Sequence, residues 1–179
     1  MDQAYKTRIS IIFSELNLPL SFCETTKIPL CEEANDLTHI EKDIFGREQR
    51  LLTPVAKLWS QMKAAAKEDG IQLLVVSAFR SVDYQKQLIL NKINKGIGVD
   101  KILKVNTPPG YSEHHTGRAL DITTSDCEPL TEAFELTEAF TWLVTHASKY
   151  QFSLTYPRDN PYGIIYEPWH WAVRAEDLI

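Results

Sequence analysis

Apolar side chains recur at steps of three and four residues in several segments, a spacing that places them on one face of a helix. The clearest segment runs from Arg47 to Asp69, and Gly70 follows it as a natural C-terminal stop. Further helices are predicted over residues 4–16 and 137–150. In residues 47–69 the inward positions are Leu51, Val55, Leu58, Trp59, Met62 and Ala66. In residues 137–150 they are Phe140, Leu143, Val144 and Ala147.

Short runs of apolar and β-branched residues predict the strands. Residues 71–79, IQLLVVSAF, are typical of a buried strand. The other predicted strands cover residues 118–123, 162–167 and 169–173. Helices come first and strands with interspersed helices follow, which predicts an α+β fold with a small antiparallel sheet flanked by helices.

Two connecting segments lie between the first two strands. Ser81 can cap a helix that extends to about Lys95 and ends at Gly96. Pro108, Pro109 and Gly110 then make residues 101–117 a stiff loop that leads into the next strand.

The length of 179 residues suits a single domain with a sizeable core. Residues 1–45 have the weakest pattern, and we assign them to an N-terminal helical and irregular extension that wraps the core. Residues 46–179 are assigned to the catalytic domain.

Charge and hydropathy narrow the classes of partner. The net charge is −5 and the cationic residues are spread along the chain, which argues against a nucleic-acid partner. No stretch approaches the roughly 20 apolar residues of a membrane span, and no apolar core follows a basic start. We therefore expect no membrane partner and a cytoplasmic location; a periplasmic one would fit if a signal had been removed.

Three cysteines, Cys23, Cys31 and Cys127, are an odd number at spacings unlike those of a zinc knuckle. They are predicted to be reduced thiols. A pairing of Cys23 with Cys31 stays open.

A histidine and an aspartate stand seven residues apart in the segment SEHHTGRALD, residues 112–121. His114 belongs to the stiff loop, whereas Asp121 belongs to a predicted strand, where it shares a face with the small Ala119. Gly117 allows the backbone to turn back so that the two side chains converge. Both are good zinc donors.

A glutamate and a histidine stand three residues apart in the segment YEPWHW, residues 166–171. A regular strand would direct Glu167 and His170 to opposite faces. Pro168 cannot donate to a strand ladder and biases Glu167 towards extended geometry, so a kink there can direct both side chains to one cavity. We therefore expect the strand to break at Pro168.

Two histidines and one carboxylate leave an open position on a tetrahedral zinc ion, and a further carboxylate nearby can take a proton from water. These residue types indicate metal-assisted hydrolysis of an amide.

The segments together resemble a known family. The pattern S-x-H-x-x-G-x-A-x-D followed by E-x-W-H is similar to that of the VanY/LdcB-type D-alanyl-D-alanine and L,D-carboxypeptidases. The family signature S-G-Y-R-S-x-x-x-Q is matched by SAFRS at residues 77–81 and by Gln85, with Ala78 and Phe79 as departures. The three motifs occur in the family's order, which makes the match far more specific than any one of them.

The resemblance implies a hedgehog/DD-peptidase-like fold, a zinc site at the sheet with one Zn²⁺ per chain, and peptidoglycan stem peptides as partners. The implied roles are metal ligand for His114, Asp121 and His170, general base for Glu167, oxyanion or carboxylate binding for Arg80, and substrate binding for Arg80, Gln85, Ser112 and Trp169. A guanidinium suits its role because it stays charged and presents a planar fork of donors.

Several of these residues have plainer interpretations. Trp169 and Trp171 suit the core or the pocket wall better than a stacking surface for substrate. Arg80 could pair with a structural carboxylate, and Ser112 could only cap a turn. His115, at a position where the family often has Gln, is expected to point away from the metal, with a supporting role and plain exposure both open.

The leading hypothesis of function is a zinc carboxypeptidase that removes the terminal D-Ala from stem peptides, of L,D type or D,D type. The alternatives are a peptidoglycan endopeptidase of the phage-lysin type and a zinc-binding module without catalysis. The E-x-W-H form argues against the first alternative, and Glu167 against the second. The sequence does not specify the oligomeric state.

Overall fold

Six α-helices, a two-stranded sheet and a four-stranded sheet make up residues 2–178, the part of the chain that the computed structural model describes. The helices are α1 (Gln3–Glu15), α2 (Ser21–Thr25), α3 (Thr53–Glu68), α4 (Val82–Asn94), α5 (Val99–Val105) and α6 (Glu138–His146). The strands are β1 (Leu37–Lys42), β2 (Glu48–Leu52), β3 (Leu74–Ser77), β4 (Ala119–Thr123), β5 (Phe152–Leu154) and β6 (His170–Val173). Short 3₁₀ helices cover Glu113–Thr116, Glu132–Leu136, Ala147–Tyr150 and Ala175–Leu178. The α+β fold with a small antiparallel sheet is confirmed.

The four-stranded sheet has the order β3-β4-β6-β5 and is antiparallel throughout. Every residue of the central strand β4 is buried. In the register of this sheet, Asp121 pairs with Ser77 on one side and with His170 on the other. One residue from each of the three sequence motifs therefore lies in a single row across the sheet.

Two clusters of buried apolar side chains hold these elements together. The first joins the four-stranded sheet to α3 and α6 and includes Trp59, Met62, Leu120, Ile122, Leu143 and Phe152. The second joins α1, α4 and α5 and includes Ile9, Phe13, Val82, Ile89, Ile102 and Tyr111. Because Tyr111 belongs to the second cluster and Leu120 to the first, the segment between them, which carries His114, is fixed at both ends.

The helix predicted over residues 47–69 starts later than expected. Glu48–Leu52 is strand β2, paired with β1, and the helix begins at Thr53 with a proline in its first turn. Gln49 and Leu51 are buried while Glu48 and Arg50 are exposed, which is the alternation of a strand. Leu51 also fits the helical spacing, so the pattern alone does not show where strand β2 ends and helix α3 begins.

Other predictions near the site need correction. The strand predicted over residues 162–167 is irregular backbone, and the edge strand β5 takes its place in the sheet. The stiff loop predicted over residues 101–117 starts within helix α5. Val144, predicted to point inward, is 60% exposed.

The helix predicted from Ser81 is confirmed, because the Ser81 side chain accepts a hydrogen bond from the backbone N–H of Tyr84 and α4 ends just before Lys95. The hairpin β1–β2 contains residues on both sides of position 45, where the division of the chain stays a prediction. All three cysteines are free thiols, and Cys31 is buried. Among residues 2–178, no helix combines the length and apolar character that crossing a membrane requires.

Candidate active site

The three predicted metal ligands meet at the centre of the four-stranded sheet. One ligand atom from each of His114, Asp121 and His170 lies within 4.8 Å of the others. All three residues are at most 4% exposed. Two imidazoles and one carboxylate are the donors of a catalytic zinc site with an open position.

His114 is held in the tautomer that a metal requires. Its Nδ1 lies 2.6 Å from the carbonyl oxygen of Ala78, so Nδ1–H donates there and Nε2 keeps its lone pair. Nε2 lies 3.2 Å from Asp121 Oδ2 and has no hydrogen-bond partner. Burial lowers the pKa of His114 to about 4, and the charge of Arg80 adds to this effect. The ring is therefore neutral, as a ligand must be.

Gly117 closes the 3₁₀ turn that carries His114. Its φ is +64°, and an added Cβ would lie 2.9 Å from the backbone nitrogen of Leu52. The backbone conformation and this close approach both require glycine.

His170 lies between two carboxylates. Its Nδ1 is 3.1 Å from Asp121 Oδ1, and its Nε2 is 2.8 Å from Glu113 Oε2. Burial lowers the pKa of His170, but the hydrogen bonds with Asp121 and Glu113 outweigh burial and raise it to about 10. A bound cation would replace the proton that His170 shares with Asp121, while Glu113 would keep holding Nε2–H.

Asp121 stays ionised in this cluster. Burial raises its pKa, but the charges and hydrogen bonds of His114 and His170 outweigh burial and lower the pKa well below its ordinary value. A carboxylate ion is thus available between the two rings.

Glu167 reaches the same site because the chain turns at Pro168. The backbone N–H of His170 donates to the carbonyl of Glu167 at 3.0 Å, and strand β6 begins only at His170. The break predicted at Pro168 is confirmed. Glu167 Oε2 lies 3.9 Å from His170 Nδ1. Burial raises the pKa of Glu167 to about 7, the charge of Asp121 raises it further, and the charge of His170 opposes both.

Arg80 lies beside the metal ligands, and its Nε makes no hydrogen bond. Its Nη1 donates to Gln85 Oε1 at 3.2 Å, and its Nη2 is 3.8 Å from Asp121 Oδ2. Among residues 2–178, Arg80 Nε and His114 Nε2 are the two buried side-chain nitrogen or oxygen atoms that no hydrogen bond satisfies. Buried polar groups are rarely left unpaired, so both atoms indicate a place for a ligand.

A cavity of about 430 Å³ opens onto these side chains. We call the part formed by the motif residues the metal wall; it consists of Arg80, Gln85, Ser112, Glu113, His114, Glu167 and His170. Gln85 donates through Nε2 to the carbonyl of Thr107 at 2.8 Å and accepts from Arg80, so it orients the guanidinium. Ser112 is 2% exposed and belongs to the lining.

Trp169 is not part of this lining. It lies in the first core cluster together with Trp171, whose Nε1 donates to the carbonyl of Pro168 at 2.9 Å. The substrate-binding role predicted for Trp169 is therefore withdrawn. The ring supplies buried apolar area beneath the turn at Pro168.

His115 is fully buried, so the exposed alternative is wrong. Its Nδ1 lies 2.6 Å from the carbonyl of Arg80, and its Nε2 accepts from the N–H of Gly110 at 3.1 Å. These bonds fix the backbone of Arg80 to the loop that carries His114.

Sequence reasoning missed two supports of the metal ligands. Glu113 lies inside the first motif, and its partly buried carboxylate holds His170. Gln49 has no signature in the sequence: its Oε1 accepts from Ala78 N at 2.8 Å, and its Nε2 donates to Asp43 Oδ2 at 2.7 Å. Because the carbonyl of Ala78 holds His114, the β1–β2 hairpin supports the metal site through a buried chain of hydrogen bonds.

Comparison with known proteins supports the resemblance that the sequence motifs indicate. The family model described as VanY, D-alanyl-D-alanine carboxypeptidase, matches residues 48–175. YodJ of Bacillus subtilis, which carries a provisional assignment as a carboxypeptidase, is 41% identical over 59% of this chain and 40% of its own length. A D-alanyl-D-alanine carboxypeptidase of Enterococcus faecium is 34% identical over 65% of this chain and 35% of its own length. The chain thus spans well under half the length of these two relatives.

A solved structure of the LD-carboxypeptidase LdcB resembles this protein with a TM-score of 0.71 and 33% identity. The likeness covers 81% of this chain and 71% of that one. The comparison extends beyond the motifs to most of the fold.

Proposed function

The chain belongs to the VanY family of D-alanyl-D-alanine carboxypeptidases, and on this premise we propose that it is a zinc carboxypeptidase that removes the terminal D-Ala from peptidoglycan stem peptides. The observation that carries the proposal is the pair of unsatisfied buried nitrogens, His114 Nε2 and Arg80 Nε, on two residues that line the cavity. The lone pair of His114 Nε2 suits a metal ion, and the N–H of Arg80 Nε suits an anion.

His114, Asp121 and His170 would hold the zinc ion, because they provide the neutral imidazoles and the carboxylate that zinc prefers. When bound, zinc supplies a Lewis acid that polarises a peptide carbonyl and lowers the pKa of a coordinated water. Glu113 and the carbonyl of Ala78 orient the two imidazoles from behind.

Glu167 is suited to move the proton. It lines the cavity next to the ligands, its carboxylate comes no closer than 3.9 Å to His170 Nδ1, and its pKa is about 7 because of burial. A carboxyl group with this pKa can accept a proton and return it to the leaving amine near neutral pH.

Arg80 is suited to bind the negatively charged end of the substrate. Its position is set by Gln85 and by the backbone bonds to His114 and His115, and its Nε faces no acceptor. A guanidinium held in this way binds a C-terminal carboxylate or the developing oxyanion without rearranging. Selection of a free C-terminus would make the enzyme an exopeptidase.

We infer that tetrapeptide stems, the L,D type of substrate, are preferred over pentapeptides. The support is the likeness to the LD-carboxypeptidase LdcB, which extends over 81% of the chain. Action on recycled fragments in the cytoplasm stays a prediction.

The test is to incubate the zinc-loaded protein with a purified tetrapeptide, a pentapeptide and a cross-linked muropeptide, and to identify the products by mass spectrometry. We expect release of free D-Ala, fastest from the tetrapeptide. Faster release from the pentapeptide would contradict the L,D preference. Cleavage only within the cross-linked stem would mean that the protein is an endopeptidase and not a carboxypeptidase.

A further inference from the structure

A second part of the cavity lining comes from the N-terminal extension and from helix α5 with the loop after it. We call it the second wall; it consists of Phe22, Thr25, Thr26, Lys27 and Ile28 and of Leu103, Lys104, Val105, Asn106, Thr107 and Pro108. The first group lies outside residues 48–175, the part that the family model matches. The extension therefore contributes directly to the candidate active site.

The extension is fastened to the loop that carries His114. The backbone N–H of Cys31 donates to the carbonyl of Gly110 at 2.7 Å, and that of Ala34 donates to the carbonyl of His115 at 2.8 Å. The ring of Phe22 packs edge-on against Tyr111, with centroids 5.2 Å apart. The second wall thus has a defined position relative to the metal ligands.

Two lysines of the second wall lack acidic partners. Lys27 and Lys104 both line the cavity and are exposed. Within residues 2–178 neither ammonium lies within 4 Å of a carboxylate, and only three lysines of this range form an ion pair, Lys42, Lys63 and Lys86. Lys27 and Lys104 are distinguished by their place in the cavity lining. In a chain with a net charge of −5, two unpaired cations on one cavity are available for an anionic ligand.

A third lysine adds to the positive charge on this side. Lys92 Nζ donates to Oδ1 of Asn106, a residue of the second wall, at 2.6 Å. Burial lowers the pKa of Lys92, and the charge of Arg80 lowers it further. Lys92 itself is not part of the cavity lining. The cavity therefore has cations beyond the one needed for a C-terminal carboxylate.

We propose that Lys27 and Lys104 form a subsite for a second carboxylate of the substrate, on the stem upstream of the scissile bond. The ligand class is a peptide with a free internal carboxylate, such as a stem containing γ-linked D-Glu. A cavity of about 430 Å³ has room for more than a terminal alanine. This inference rests on the proposed function and specifies which stem peptides the site selects.

The test compares two synthetic tetrapeptides, L-Ala-γ-D-Glu-L-Lys-D-Ala and the same peptide with the α-carboxylate of D-Glu converted to an amide. Binding is measured by calorimetry with zinc-loaded protein carrying Glu167→Ala, so that no turnover is required. We expect the carboxylate peptide to bind about fivefold more tightly, since exposed ion pairs have modest energies. We also expect this preference to shrink in high salt.

In the same background, Lys27→Ala with Lys104→Ala should abolish the preference. The control pair, Lys6→Ala with Lys101→Ala, removes two exposed lysines that do not line the cavity and should keep it. Equal binding of the two peptides to the Glu167→Ala protein would overturn the inference. A preference that survives the Lys27 and Lys104 changes would do the same. D-Ala release by protein with Glu167 intact is assayed in parallel. Tighter binding of the carboxylate peptide without release of D-Ala would contradict the proposed reaction but support the subsite.

Discussion

The metal wall and the second wall of the same cavity are built in different ways. The metal wall stands on the register of a buried sheet, and hydrogen bonds fix the rings of His114 and His170. The second wall consists of a short helix, a helix end and a loop, with exposed lysines. We infer that the rigid wall carries the chemistry and that the peripheral wall selects the substrate.

This contrast makes a general expectation. Changes on the metal wall should reduce zinc binding or kcat, because they disturb groups that act on the reacting atoms. Changes on the second wall should alter KM with zinc content unchanged. If a substitution on the second wall lowered zinc content or kcat, the two walls would be coupled.

The largest expected effect follows from Asp121→Ala. The change removes the carboxylate that both histidines face, so we expect zinc affinity to fall by at least about a hundredfold and D-Ala release to disappear. Zinc content of the purified protein measures the result. Asp126→Ala, at an exposed loop position, is the control. Full zinc retention by Asp121→Ala would mean that the ligand set is misassigned.

Arg80→Ala should leave zinc content intact and lower kcat/KM by about 10²–10³. Arg80→Lys should recover little of this loss, because an ammonium lacks the planar fork. Steady-state kinetics with the tetrapeptide, alongside circular dichroism as a check on folding, measures both variants. Near-normal turnover by the Arg80→Ala variant would mean that Arg80 has only a structural role.

Glu113→Gln should weaken zinc binding by about 10- to 100-fold, since an amide is a poorer partner for the Nε2–H of His170. Competition with a chelator gives the affinity. Glu24→Gln, on the exposed surface of α2, serves as the matched control. If Glu113→Gln binds zinc as the parent does, then the carboxylate does not support the ligand.

Gln49→Leu tests the support from the β1–β2 hairpin. It leaves the N–H of Ala78 and the carboxylate of Asp43 without their partner, and we expect zinc affinity to fall about tenfold. The same chelator assay applies, and Gln61→Leu on the exposed face of α3 is the control. Gln49→Glu keeps the acceptor for Ala78 but faces Asp43, so it should recover little.

Phe22→Ala should have the smallest effect. The change removes apolar lining from the second wall, so we expect KM for the tetrapeptide to rise a few fold while kcat and zinc content stay unchanged. A fall in kcat instead would place Phe22 close to the reacting groups and weaken the division between the walls.

Apart from the supporting role of Glu113, the metal wall was predictable from sequence because its residues lie in short motifs with fixed spacing. The turn at Pro168 was also predictable, since proline restricts its neighbours in a known way. The register that aligns Ser77, Asp121 and His170 depends on pairing between distant strands, which no local pattern specifies.

The second wall and the hairpin support were not predictable for a related reason. Phe22 and Lys27 have no motif, and their place in the cavity results from long-range packing of the extension on Tyr111 and its loop. Gln49 belongs to a segment whose apolar spacing fits a helix as well as a strand. In both cases tertiary contacts determined the outcome.

The central claim is that His114, Asp121 and His170 hold zinc for a reaction in which Glu167 moves the proton. The most direct test measures free D-Ala released from the tetrapeptide by the parent protein and by Glu167→Gln, at equal zinc content. We predict release by the parent, and a loss of at least about 10²-fold in the variant with about one equivalent of zinc bound to each. Equal release by both proteins, or no release by the zinc-loaded parent, would contradict the account.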